Sequence, residues 1–344
     1  MKKRLLAWSG AGVGLLFISA VVCISLGSAN LPLSQVWLII LHQIPILGDG
    51  IPVTWEESAE QIVMKVRFPR VLLAVLVGAC LSLAGAGFQG VLRNPLADPY
   101  TMGVASGASV GAAFMFLFGL KYAFLGEWGI PLIAFLTGLG SLWIVLRLAK
   151  TEGKLHTERL ILSGVIVQAF FGSFVSLMVS LSDKTVNEIV FWMMGSLSFR
   201  GWAYSYVLVP YLFIGLLVLL SYARALNLFA LGERQAAHMG VQVERTKLIV
   251  LLVSTLMTAA AVSIAGIIGF VGLVVPHLVR LLIGPDCRIL LPLSTLLGGV
   301  YVLWADTLAR TLLSPVEIPL GVITAFLGTP FFAYLLKRNR RFKE

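Results

Sequence analysis

Residues 71–112 read VLLAVLVGACLSLAGAGFQGVLRNPLADPYTMGVASGASVGA. The first half, 71–92, is apolar on every helical face apart from Ser82 and Gln89. Its length matches the roughly 20 residues with which a helix crosses a bilayer. The stretch Arg93–Tyr100 then crowds together an Arg, an Asn, an Asp and two prolines. Pro95 and Pro99 forbid one continuous helix, so the chain turns here. Asn94 and Asp98 are placed to cap the next helix start, and Arg93 marks a cytosolic edge. From residue 103 the chain is apolar again, with Gly, Ala and Ser at the close spacing that lets helix backbones approach. A span, a sharp turn and a second span make this an all-α polytopic membrane protein. The turn itself admits two readings, a gate at the inner end of a Gly-rich helix pair or a plain tight connection.

The rest of the chain repeats the pattern. Of 344 residues 58% are hydrophobic and 12% charged, half of the about 25% charged residues of a soluble domain. Apolar runs predict ten spans, near 8–28, 71–92, 103–120, 130–149, 160–181, 203–223, 247–266, 269–284, 290–309 and 319–337. Backbone facing lipid must satisfy its own hydrogen bonds, so these are helices. A barrel would need alternating polar positions, and these runs have none. The whole chain, 1–344, reads as one transmembrane domain in a compact bundle. The opening MKKRLLAWSGAGVGLLFISAVVCISL resembles a secretory signal, but its apolar core exceeds the roughly 7–15 residues of one, so it reads as a retained first span.

The formal charge of +10 is spread between apolar runs, which points to membrane orientation and away from nucleic acid. With the N-terminus inside, all but seven of the 26 Lys and Arg lie on the cytoplasmic side; the exceptions are Lys65, Arg67, Arg70, Lys121, Lys184, Arg200 and Arg310. That asymmetry predicts both termini in the cytoplasm. A long segment, 29–69, then lies outside, and a charged segment, 224–246, lies inside and reads as a helix at the interface or a docking surface for a soluble partner. SLAGAGFQG (82–90) is echoed by SIAGIIGFVG (263–272) with one residue inserted. Opposite running directions would make this pair an inverted repeat.

The chain carries no G-x-x-x-x-G-K-[ST] phosphate loop and no H-E-x-x-H, and Cys23, Cys80 and Cys287 lie far apart in apolar surroundings. No nucleophile–base pair and no set of paired intramembrane acids is visible, which argues against an enzyme and against a carboxylate-driven pump. Polar residues inside spans are costly and so candidates for function. They are Gln89, the His277–Arg280 pair three apart, and Asp306 with Arg310, four apart and placed to pair. Pro276 is expected to kink its helix.

Several strings together are similar to one family: VRFPRVLLAVLVGACLSLAGAGFQGVLRNPLADPYTMGVASGASVGA, FWMMGSLS, ALGERQAAHMGV, GIIGFVGLVVPHLVRLLIGPDCRILLP, ADTLAR and EIPLGVITAFLGTPFF. The chain resembles the FecCD family, permease subunits of bacterial ATP-binding-cassette (ABC) importers for iron siderophores, haem and cobalamin. The resemblance implies ten helices per subunit in the bacterial cytoplasmic membrane, and a permease homo- or heterodimer with the path at its axis. It also implies two separate ATPase subunits, which alone use ATP and Mg, and an extracytoplasmic substrate-binding protein. Arg67, Arg70 and Arg310 then resemble the outer arginines that dock the binding protein. Leu231, Gly232, Glu233, Ala236 and Gly240, in a helix near 228–241, resemble the ATPase-coupling element. Asn94 and Leu96 resemble the inner gate, with Thr157 near a second gate in a poorly matching HTER context. Cys287 stands where the family often has His. A ferric siderophore is the expected cargo, haem or cobalamin the alternative. A secondary transporter working alone is the rival outside the class.

Overall fold

The computed structural model describes residues 2–27, 29, 31–45, 48–120 and 125–340; Lys121 of the outer cation set lies outside them. In chain order the helices are α1 (Lys2–Ser25), α2 (Leu33–His42), α3 (Glu57–Gln61), α4 (Phe68–Leu92), α5 (Val104–Leu117), α6 (Gly129–Ala149), α7 (Thr157–Ser180), α8 (Val186–Met193), α9 (Trp202–Ser221), α10 (Ala223–Phe229), α11 (Glu233–His238), α12 (Val243–Ala265), α13 (Val271–Ile283), α14 (Cys287–Thr311) and α15 (Leu320–Arg340). A helix lies in each of the ten apolar runs. Among the described residues seven helices are long and apolar enough to cross a membrane, and α2, α5, α13 and the start of α15 are shorter apolar helices.

The bundle is organised around α4. It packs against α9, α12, α13 and α14, and α1 packs mainly on α14 with a lighter contact to α4. The most apolar stretch of α4 is 89% buried, against 28% for α7. Small residues make this centrality physically attainable. A Cβ on Gly78 would run into the carbonyl oxygen of Gly298 on α14, and one on Gly85 into that of Gly272 on α13. Gln89, buried in the same helix, donates its Nε2–H to the carbonyls of Gly272 at 3.1 Å and Leu273 at 3.3 Å. One intramembrane polar group is thereby used to fasten α4 to α13.

Four departures from the sequence reading have clear causes. The end of the outer segment 29–69 is helical: α3 runs through a π-turn, Ile62–Arg67, straight into α4. α2 and α8, with 10 and 8 residues, were too short to announce themselves as spans. A two-stranded hairpin pairs Lys150–Thr151 with Lys154–Leu155. It turns at Glu152 (φ 52°) and Gly153 (φ 81°), the positive-φ pair favoured by two-residue hairpin turns. Finally, the echoed strings differ in backbone: 82–90 is unbroken helix, whereas the second copy breaks between α12 and α13, where Gly266 has φ 73° and Phe270 φ 67°. The polar groups bared there are met within the protein, as hydrocarbon surroundings require. The Tyr100 hydroxyl donates to Ile268 O at 3.0 Å, and Ser196 N–H donates to Ala265 O at 2.8 Å.

Candidate functional site

At the predicted inner edge the chain turns after α4 as expected, but neither Asn94 nor Asp98 caps α5, whose N-cap is Gly103. Arg93 ends α4 in the left-handed region at φ 51°. Asn94 Oδ1 accepts from Leu96 N–H, and Asp98 Oδ1 from Tyr100 N–H, both at 2.9 Å. These two Asx turns fix the loop without a helix. The element Asp98 caps is a 3₁₀ turn, Pro99–Met102, and Gly103 with φ 76° then opens α5. Leu96 stands half-exposed at the tip. Asp98 is buried, which pushes its carboxyl up to about 6 despite the opposing Tyr100 N–H.

The segment expected as one helix over 228–241 is two short ones. Gly232 separates α10 from α11 with φ 117°, a backbone conformation that a side chain disfavours. Gly240, at φ 85°, closes α11. Its N–H donates to Ala237 O, and Val241 N–H to Ala236 O, the paired bonds of a glycine-terminated helix. Gly232 and Ala236 face inward and are buried, while Leu231 and Met239 are exposed. Thr157, the first residue of α7, donates its hydroxyl to Glu233 Oε1 at 3.4 Å. A polar cavity of about 620 Å³ lies between the turn and α11, lined by Arg93, His156, Thr157, Gly232, Glu233 and Gln235. Thr157 of the gate set and Gly232 and Glu233 of the coupling set thus border one space.

Lys247 was counted in the sequence only as one more inner cation. It is almost fully buried on α12, and its Nζ donates to Glu233 Oε2 at 2.7 Å and to Leu155 O at 2.9 Å. Glu244, one turn earlier, accepts from Leu155 N–H at 2.7 Å. An acid and a base three apart at the mouth of an apolar run was the available signal.

The three outer arginines correct an expectation. A docking set should be exposed, yet Arg67, Arg70 and Arg310 are 4%, 8% and 5% exposed. Their guanidinium groups are engaged inside the chain. Arg67 donates to the carbonyls of Ile24, Ser25 and Ala29, and Arg310 to those of Cys23 and Leu26. Those include the carbonyls that the end of α1 leaves without intrahelical partners. Arg70 meets Asp306 through Nε and Nη2 at 2.9–3.1 Å and Glu317 through Nη1 at 2.9 Å. The anticipated Asp306–Arg310 pair is present but longer, at 3.6 Å. Glu317, missed in the sequence, lies partly exposed in the loop before α15 and also accepts from the Ser198 hydroxyl. Burial raises its pKa, but the bonds from Arg70 and Ser198 outweigh that and hold it below the ordinary carboxylate value.

An open, apolar cavity of about 630 Å³ is bounded by Met193 at the end of α8 and Met194 after it, Ile267 and Gly269 in the α12–α13 break, and Gly321 and Phe326 on α15. His277 lies outside it, against Phe331 and Phe332.

Interrupted helices among membrane spans are a device of transport proteins, and comparison with known proteins agrees. The model of the FecCD transport family matches residues 15–338. This chain belongs to the FecCD transport family. An ABC transporter permease of Bacillus subtilis, YvrB, is 42% identical, with 96% of this chain and 93% of that protein covered. The cobalamin import permease BtuC of Halobacterium salinarum is 38% identical over 97% and 96% of the two chains. The Fe(3+) dicitrate permease FecD of Escherichia coli is also 38% identical, over 90% and 97%. A solved inward-facing metal-chelate type ABC transporter superposes with a TM-score of 0.81 at 32% identity, covering 98% of this chain and 100% of that one. As a FecCD member the chain is a multi-pass membrane permease of ABC importers and not an enzyme; ATP hydrolysis belongs to a separate subunit.

Proposed function

We propose that this chain carries a ferric siderophore across the bacterial cytoplasmic membrane by alternating access, as one half of a permease dimer. Two ATPase subunits engage Leu231, Gly232, Glu233, Ala236 and Gly240 from the cytoplasm and supply ATP and Mg²⁺ chemistry. A binding protein delivers the chelate from outside, at the end that holds Arg67, Arg70 and Arg310. Asn94, Leu96 and Thr157 form the inner gate. The observation that carries the reading is the inner cavity: α11, the proposed ATPase contact, and Thr157, at the proposed gate, line the same 620 Å³ space. The two also touch through the Thr157–Glu233 bond at 3.4 Å.

The cargo proposal leans on the wall of the 630 Å³ cavity, which is apolar apart from Thr329. Such a wall lets a bulky chelate slide without a tight polar site. Because relatives named for cobalamin and for Fe(3+) dicitrate are equally similar at 38%, haem or cobalamin is the alternative cargo. The test is reconstitution of the permease with its ATPase and binding protein in proteoliposomes. ATP-dependent uptake of a ferric hydroxamate or catecholate, but not of haem or cobalamin, is the expected result. Uptake of haem or cobalamin alone moves the cargo to the alternative, and uptake by the permease without the ATPase ends the importer reading.

A further inference from the structure

Two residues of α12 hold both backbone groups of a single residue elsewhere. Glu244 takes the N–H of Leu155 and Lys247 takes its C=O, at 2.7 and 2.9 Å. Three residues apart, they share one helix face. Leu155 is the last strand residue of the hairpin, and only His156 separates it from α7. His156 O accepts from Leu160 N–H at 2.9 Å, so the hairpin is continuous with the first turn of α7. The ammonium of Lys247 has three donors, and another goes to Glu233 on α11. One buried cation therefore joins α11, α12 and the root of α7.

Stability alone is a poor reason for such a device. Lys247 is buried while Glu233 is partly exposed; an ion pair with a buried member gains little over apolar packing, and its best-attested use is to fix geometry. What is fixed here is the position of α11 against α7, a helix only 28% buried over its most apolar stretch and packed chiefly on α5 and α6. Most of that stretch of α7 therefore packs on nothing else in this chain.

We infer that Lys247, gripping Glu233 on one side and the Leu155 carbonyl on the other, is the joint that passes a displacement of α11 to α7, with Glu244 as its second grip. Both are positioning residues, since neither lies on the exposed face of α11. The inference rests on the reading of α11 as the ATPase contact. It adds that the force leaves α11 through a side-chain bond, not through the chain that connects α11 to α12.

The test uses the full complex of permease, ATPase and binding protein in nanodiscs and proteoliposomes. Cysteines at Gln235 on α11 and Glu152 in the hairpin, both exposed, carry spin labels; the native Cys23, Cys80 and Cys287 are buried. In the parent, ATP should leave the 235–152 distance unchanged. In Lys247→Met the distance should shift with ATP, and chelate taken up per ATP should fall about tenfold, the scale of a typical coupling between sites. Hydrolysis itself should persist. Glu244→Gln should show the same pattern more weakly, and it decides the matter if Lys247→Met does not assemble. A 235–152 distance that changes with ATP in the parent overturns the inference, as does an unchanged uptake-to-hydrolysis ratio in Lys247→Met. Failure of both variants to assemble gives the cluster a folding role and overturns it too. A parent complex that neither hydrolyses nor transports defeats the importer reading instead, and is distinguishable because no variant is involved.

Discussion

Asp306 is 1% exposed and stands between two guanidinium groups, Arg70 at 2.9 Å and Arg310 at 3.6 Å. Removing the carboxylate would leave two cations buried with one fewer counter-charge. Asp306→Ala should therefore lower stability by about 3–5 kcal/mol, read as a lower thermal midpoint in detergent; an unchanged midpoint would show that water reaches the site. Asp98 works in the opposite sense. Its pKa is raised by burial to about 6, so the folded state holds the proton more tightly than the unfolded chain. Stability accordingly falls as pH rises from about 4 through 6, and the full penalty persists above that. Asp98→Asn keeps an acceptor for Tyr100 N–H and removes the charge. It should be more stable than the parent at pH 7.5 by about 1–3 kcal/mol, with the gap closing toward pH 4; a gap independent of pH would refute the assignment. Of these features the sequence displayed the pair Asp306–Arg310, because four residues on a helix are neighbours. It could not display Arg70, whose distance along the chain is 236 residues. Nor could it show that the outer arginines face inward, since an Arg beside an apolar run reads the same whether it meets water or carbonyls.

At the level of elements, the ten apolar runs were legible because a helix in lipid must be apolar all round over a set length. The interior breaks were harder. LFALGERQAA (228–237) contains good helix formers on both sides of Gly232, and a lone glycine in such a run costs only about 1 kcal/mol. Its use as a hinge appears only in the φ of 117°. Gly232→Ala should consequently strain the backbone by about 1–3 kcal/mol and misalign α11. Co-purification of the ATPase with the permease should drop, while the thermal midpoint of the permease alone changes little. Equal recovery of the ATPase from variant and parent would remove the hinge from the contact. The α12–α13 break left a trace in the sequence: the inserted residue in SIAGIIGFVG relative to SLAGAGFQG lies in the stretch where the second helix is interrupted.

For the molecule as a whole, the inner site draws together the root of α7, the α10–α11 pair and the turn after α4, segments that are far apart in the chain. Local pattern reveals each piece and says nothing of their convergence. The orientation of the assembly is open to a direct check. With the N-terminus inside, a membrane-impermeant thiol reagent on intact cells should label Ser58→Cys and spare Glu152→Cys, both exposed positions in the structure. The reverse pattern would invert the predicted topology and with it the placement of both sites.

The capping of α1 by remote arginines bears on biogenesis. Residues Cys23, Ile24, Ser25 and Leu26 hold the guanidinium groups of Arg67 and Arg310, and at the other end Arg4 reaches the carbonyl of Ile283 at 3.1 Å. A leader peptidase that clipped the polypeptide just after this helix would take away the Cys23, Ile24 and Ser25 carbonyls, leaving Arg67 with Ala29 and Arg310 leaning on Asp306. The first span, for all its likeness to an export signal, is in the folded protein the source of backbone acceptors for both arginines.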